Sequence, residues 1–309
     1  MSNPRENKRV GVLMGGISHE REVSLKTGRA VCRAMREEGY DVVGLNVSFD
    51  IVERLLAQRV DVAFIALHGR WGEDGTVQGL LELLQIPYTG SGVLASALAM
   101  NKIKSKELFV YHGIPTPPFV VPPPHDSVQP PFPLPWVVKP ASEGSTIGIH
   151  IVRETEGLAA AVNEARDYDR EVLIEQFISG RELTVGILNG NPLPVIEVVP
   201  KEGFYDYRAK YTAGMTDYII PAEVSDDVMK AAQDVALRSY ATLGCNGCAR
   251  VDLRMAADAH LFVTELNTLP GMTDTSLVPK AAAYQGLTFN QLVVAILEDA
   301  SLKVQTEAV

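Results

Sequence analysis

The sequence predicts an α/β and α+β protein of three domains, the first of them a doubly wound parallel sheet. Three observations carry this. Short apolar, β-branched runs at residues 10–14, 42–47 and 62–67 alternate with helical patterns, the signature of βαβ units. A proline block then interrupts the chain, and after it strands dominate. At 309 residues, the chain has room for two or three domains of about 100–200 residues each.

Taken in order, the run at 10–14 is a short strand ending in Gly15 and Gly16. A helix follows with Val23, Thr27, Ala30, Val31 and Ala34 on one face, and Gly39 stops it. The first domain closes near residue 101. Ten of the nineteen prolines lie between Pro115 and Pro135, a stretch that excludes a long helix or a central strand and reads as a connector or surface arm. Beyond it come strands at 136–138 and 149–152 flanking a glycine loop, a helix near 154–166 and a strand at 172–176. These complete a central unit, 102–178. The remainder, 179–309, offers strands at 183–188 and 193–199, a polar loop at 201–217, a helix from about 225 to 243, two further strands, and closing helices near 279–300.

Composition excludes several classes of function. With 28 basic against 38 acidic residues the net charge is -10, so there is no general electrostatic footprint for nucleic acid or an anionic membrane. The longest uncharged apolar-leaning run, 83–100, is interrupted by Pro87, Gly90 and Gly92, which leaves no spanning helix. Arg5, Lys8 and Arg9 precede an apolar core too short for a secretory signal, so a cytoplasmic location is expected. Three cysteines argue against a disulfide framework, and the Cys245, Cys248 spacing reads as buried structural thiols, since no second pair completes a zinc site.

The chemistry is written most plainly in two strands near the end. A turn at 257–259 would set Asp252 opposite Glu265 and Arg250 opposite Asn267, all four on one face. Facing carboxylates repel unless positive charge lies between them, and a hard dication that also binds nucleotide phosphates supplies it. The apolar neighbours Val251, Leu253, Val263 and Leu266 argue against an open, solvated sheet face.

Lys139 ends a strand, and the loop at 144–148 can present successive N–H groups to an anion. It lacks the Gly-Lys-Ser/Thr of a Walker loop, and Gly15-Gly16 lacks the glycine spacing of a dinucleotide fold. Glu175 and Glu182 each read either as a ribose contact or as a solvated carboxylate.

Set together, these segments resemble the ATP-grasp superfamily and, within it, the D-alanine:D-alanine ligase family. The resemblance runs nearly end to end, through LMGGISHEREVSL, ALHGRWGEDGTVQGLLELLQIPYTGSGVLASALAMNK, VVKPASEGSTIG, VLIEQFISGRELTVGIL, FYDYRAKY, GCARVDL and ELNTLPGMTDTSLVPKAA. It implies a three-domain ATP-grasp architecture. It also implies the ATP-dependent joining of two D-alanines through an acyl phosphate, with two magnesium ions, for which manganese can substitute. By that likeness Lys102, Lys139 and Lys210 contact phosphate, and Glu175, Phe177, Ile178 and Glu182 contact adenine and ribose. Asp252, Glu265 and Asn267 match the magnesium ligands.

Glu20 matches the carboxylate that holds the first ammonium group, beside His68, with Ser145 and Tyr211 as its hydrogen-bonding partners. Arg250 and the Gly271 N–H match the oxyanion donors, and Ser276 and Leu277 the second carboxylate's contacts. A homodimer is the family's common state. Two rivals remain: a ligase taking D-lactate or D-serine second, against which Tyr211 speaks, and a non-catalytic nucleotide-binding regulator, against which Asp252, Glu265 and Arg250 speak. Trp71 stands where the family usually has a small residue, which puts the first-substrate pocket in question, and Thr146 stands where serine is common.

Overall fold

The computed structural model describes residues 8–123, 128–201, 215–273 and 276–304. Three sheets organise them. The first comes from β1 (Arg9–Gly15), β2 (Asp41–Val47) and β3 (Val62–Ile65), parallel in the order β2-β1-β3. Successive residues of β1 enter different cores: Val10, Val12 and Met14 meet Val31 and Met35 of α1 (Arg21–Glu37), while Leu13 meets Leu55 and Leu81. The latter two come from α2 (Ile51–Ala57) and α3 (Thr76–Leu83), so both faces are covered as doubly wound sheets require.

The expected face of α1 is rotated slightly. Val23 and Ala30 are only half-buried, and Ser24, Gly28, Cys32 and Met35 join Thr27, Val31 and Ala34 inside. Ser24 tolerates burial because its hydroxyl accepts from the Gly15 N–H at 2.8 Å and donates to the Ala66 carbonyl at 2.7 Å. Gly39 does end the helix. At φ +84° it allows its N–H to reach Arg36 O, and Tyr40 N–H to reach Met35 O, each at 3.0 Å.

Two helices, α4 (Val93–Met100) and α5 (Lys102–Tyr111), lead to the second sheet. Its antiparallel order is β4-β7-β5-β6, from β4 (Phe119–Val120), β5 (Trp136–Pro140), β6 (His150–Val152) and β7 (Val172–Gln176). α6 (Leu158–Arg166), entered through a 3-10 turn at Thr155–Gly157, packs Ala161, Val162 and Ala165 on it. The proline-rich arm is therefore more than a spacer. It contributes the two-residue edge strand β4, a position proline tolerates because an edge leaves N–H groups unpaired. It also grips the third sheet, where Pro115 O accepts from Val263 N–H at 2.8 Å.

That third sheet, antiparallel in the order β10-β9-β8-β11-β12, comprises β8 (Arg181–Leu188), β9 (Asn191–Pro200), β10 (Thr216–Ile219), β11 (Cys248–Met255) and β12 (Leu261–Asn267). α7 (Asp226–Thr242) covers one face; the Ser225 hydroxyl accepts from Val228 N–H at its start, and Asp226 and Asp227 occupy its first turn. α8 (Leu277–Tyr284) covers the other face with Val278 and Ala281. α9 (Phe289–Glu298) joins the same core and reaches back to α1, so the last helices tie the third sheet to the first. Cys32, Cys245 and Cys248 are free and buried, as expected of structural thiols, and burial pushes Cys245 and Cys248 up to about 12.

Candidate active site

The β11–β12 ladder pairs Arg250 with Asn267 and Asp252 with Glu265, the register the turn symmetry predicts. Below Asp252 the symmetry breaks. Leu253 faces Val263, so Thr264 is the extra residue of a bulge, and its hydroxyl donates to Asp252 O at 3.0 Å. Sequence spacing carries no mark of this slip.

The facing carboxylates do not need a dication to lie side by side. The chain itself supplies the positive charge between the carboxylates: Arg250 Nε and Nη2 donate to Asp252 Oδ1 and Oδ2, each at 2.8 Å, and Lys102 Nζ lies 3.6 Å from Glu265 Oε2. Thr184 donates to Asp252 Oδ1 at 2.6 Å, and Asn267 Nδ2 lies 3.4 Å from Oδ2. Among the described residues no three His, Cys, Asp or Glu side chains cluster to hold a metal. Two carboxylates and an amide oxygen nonetheless fit magnesium, which takes few protein ligands and fills the rest of its shell with phosphate oxygens and water.

A cleft opens between the second and third sheets. One wall carries Val137, Lys139, Glu175, Gln176, Phe177 and Ile178; the other carries Glu182, Asp252, Arg254, Thr264 and Glu265. Glu175 is neither solvated nor at a loose strand end. It is 3% exposed and sits between Lys139 Nζ at 2.5 Å and Lys106 Nζ at 3.0 Å. Burial alone would raise its pKa, but the two ammonium groups hold it below the usual carboxylate range. Burial, opposed by Glu175, brings Lys106 down to about 8. Lys106 is a residue that the sequence reading missed; it lies one helical turn beyond Lys102 on α5, a spacing that would have suggested a shared face.

The glycine loop ends this cleft. Ser145 (φ +52°) and Thr146 (φ +65°) are consecutive left-handed residues, a strained pair of the kind that collects at ligand sites. Not every loop amide faces outward, because Ile147 N–H bonds Gly144 O at 3.1 Å. Lys102 Nζ donates to Glu143 O at 2.6 Å, and Arg70 reaches the Glu143 carboxylate at 2.9 Å from the first sheet's side.

Beyond Glu265, which lines both, a second cleft contains Glu20, His68, Ser145, Arg250, Gly271, Ser276 and Leu277. Glu20 stands at the N-cap of α1 yet makes no side-chain cap bond; its carboxylate accepts from the Ser145 hydroxyl. Gly144 permits this approach, since a Cβ there would lie 2.9 Å from Glu20 Oε2. His68 is buried, with Nε2 3.3 Å from Thr27 Oγ1 and Nδ1 3.7 Å from Glu73 Oε1. Burial opposes its protonation, but Glu73 and Glu20 outweigh that and raise its pKa.

Ser276 precedes α8, and its Oγ accepts from Thr273 N–H at 2.9 Å. Gly271 packs against it, so the two donors expected for separate carbonyl and carboxylate groups are neighbours. Trp71 does not line the cleft. Its backbone is left-handed at φ +70°, and its ring packs edge-on against Phe49, centroids 5.1 Å apart. Lys210 and Tyr211 lie outside the described residues.

Two antiparallel sheets closing on a cleft with buried lysines on one wall and facing carboxylates on the other define an ATP-grasp enzyme. Comparison with known proteins gives the particular family. The D-ala D-ala ligase N-terminus family matches residues 46–91 and the D-ala D-ala ligase C-terminus family residues 108–298. A D-alanine--D-alanine ligase of Syntrophotalea carbinolica is 54% identical over 96% of this chain and 98% of that protein. One from Citrifermentans bemidjiense is 50% identical over 97% and 98%. The crystal structure of the Bacillus anthracis D-alanine--D-alanine ligase complexed with ATP superposes with a TM-score of 0.84 at 35% identity, covering 94% of this chain and 97% of that one. The chain belongs to the D-alanine:D-alanine ligase family.

Proposed function

We infer that this protein joins two D-alanines into D-alanyl-D-alanine, converting ATP to ADP and phosphate through an acyl phosphate, for peptidoglycan precursor synthesis. The observation that carries the reading is the meeting of the two clefts at Glu265, which lines both. An acyl phosphate formed from the first carboxylate would lie where the second cleft delivers an amine.

In this reading Lys102, Lys139 and Lys210 hold the phosphates, Phe177 and Ile178 flank the adenine with Glu175, and Glu182 takes the ribose. Asp252, Glu265 and Asn267 would hold two magnesium ions, whose chemistry is to neutralise charge on the transferring phosphoryl group. Glu20, beside His68, holds the first ammonium group. Ser145 and Tyr211 complete its hydrogen-bonded set and exclude water, which protects the acyl phosphate from hydrolysis. The carbonyl oxygen gains negative charge as the second amine attacks. Arg250 and the Gly271 N–H stabilise it, while Ser276 and the α8 N-terminus at Leu277 hold the second carboxylate.

Residues 1–101, 102–178 and 179–309 serve as first-substrate, nucleotide, and metal and second-substrate domains. We assign a homodimer and a cytoplasmic location. Among the described residues no helix is long and apolar enough to cross a membrane.

The test is phosphate release from ATP and magnesium with D-alanine, L-alanine, or D-alanine plus D-lactate, products identified by mass. Release with D-alanine and a dipeptide mass is expected. A depsipeptide as main product would transfer the protein to the lactate-accepting rival, and no release while ATP still binds would make it a regulator. Tyr211→Phe is expected to raise the rate of uncoupled ATP hydrolysis more than it weakens ATP binding.

A further inference from the structure

Arg254 follows Asp252 by two residues on β11, so it shares its face and lines the same cleft. Its guanidinium gathers the whole connection between β7 and β8. Nε donates to Ile178 O at 3.1 Å, Nη2 to Gly180 O at 2.8 Å and Nη1 to Glu182 Oε2 at 3.3 Å, while the Phe177 ring centroid lies 5.6 Å from the guanidinium carbon. The same turn is pressed onto the strand just past Arg254. A Cβ on Gly180 would lie 2.0 Å from Met255 O, so only glycine allows the turn to sit this close to β11. Arg254 and Glu182 are also directly opposed in the β8–β11 register, both largely shielded from water.

One planar fork thus fixes two backbone carbonyls, one carboxylate and one aromatic ring. Only arginine has the donor geometry to do so. These are the residues that bracket a nucleoside, with Phe177 and Ile178 at the base end and Glu182 at the sugar end. We propose that Arg254 is a positioning residue for ribose recognition: it sets Glu182 and the 177–182 turn so that the site selects a nucleoside triphosphate carrying both ribose hydroxyls.

The inference rests on the reading of Glu182 as the ribose contact, so the experiment varies both residues. KM and kcat are measured with ATP, 2′-deoxy-ATP and 3′-deoxy-ATP for the full-length wild type and for Arg254→Met, Arg254→Lys and Glu182→Gln, at saturating D-alanine. Arg254→Met is expected to raise KM for ATP about tenfold, the effect of losing roughly 1.4 kcal/mol of positioning, with KM for D-alanine, measured separately at saturating ATP, unmoved. Its preference for ATP over the deoxy analogues is expected to collapse, as in Glu182→Gln. Arg254→Lys, which keeps the charge but loses the fork, should fall between, and it carries the test if the Met variant does not fold. Collapse in Glu182→Gln with an unchanged ratio in both Arg254 variants overturns the inference alone, whatever the variants do to thermal stability. An unchanged ratio in Glu182→Gln overturns the ribose reading and the inference with it.

Discussion

Glu20 and Ser145 share a hydrogen bond although 125 residues separate them, one at the start of α1 and the other in the glycine loop beside β6. A helix-start carboxylate normally bonds its own N–H groups, and Glu20 forgoes that bond. The local helix loses a cap while the first and second sheets gain a contact across the second cleft. Glu20→Gln keeps a hydrogen-bonding side chain but removes the charge offered to an ammonium group. KM for D-alanine should rise roughly ten- to hundredfold with KM for ATP little changed, measured by coupled ADP release. A matching rise in both constants would move Glu20 from substrate binding to closure.

Glu265 borders both clefts and has Lys102 as its ion-pair partner. Glu265→Gln should reduce turnover by orders of magnitude while circular dichroism and the unfolding midpoint stay near wild type, because charge at the phosphoryl site is lost without any change in volume. Turnover within severalfold of wild type would remove Glu265 from the metal site.

His68 should titrate above the ordinary histidine value of about 6.5, since Glu73 and Glu20 outweigh its burial. With the folded value above the unfolded one, protonation of His68 stabilises the protein fully below about pH 6.5, and that contribution fades as pH rises through the folded value. In Glu73→Gln the ring should titrate lower, since burial then meets less opposition. An NMR titration of the ring protons reads both; no downward movement in Glu73→Gln would show that Glu73 does not govern this ring.

Lys106 is fully buried against Glu175 and donates to Thr116 Oγ1 at 2.5 Å, and Thr116 in turn donates to Val263 O at 2.7 Å. Removing one partner of a buried ionic cluster commonly costs about 3–5 kcal/mol, and the low end applies because Lys139 remains with Glu175. Lys106→Met should therefore lower urea stability by about 3 kcal/mol at neutral pH. Lys106 titrates near 8 when folded and near 10.5 when unfolded, so the wild type should gain stability as pH rises between those values, and the variant should not. Equal stability of the two proteins would show that the Glu175–Lys139 pair is self-sufficient.

Much of this protein is legible locally. The strand runs, the stop at Gly39 and the pairing of Asp252 with Glu265 follow from alternation, from a left-handed glycine and from counting outward from a turn, all of which act within a few residues. The facing of Arg250 and Asn267 is visible for the same reason. Arg254 could have been read from the same period of two, and its role could not, because the Ile178 and Gly180 carbonyls it grips belong to a turn far back in the chain.

The alternation of elements, the family, and the residue types that face one another across the hairpin are all present in the amino-acid order. Packing in three dimensions sets the Thr264 bulge, the balance of the carboxylates by Arg250 and Lys102, the lock of Glu175 between two lysines, and the contact of Trp71 with Phe49. The difference is one of range. Backbone periodicity is set by neighbours in the chain, whereas charge compensation and the direction of a side chain depend on groups that meet only when three separately formed sheets pack against one another.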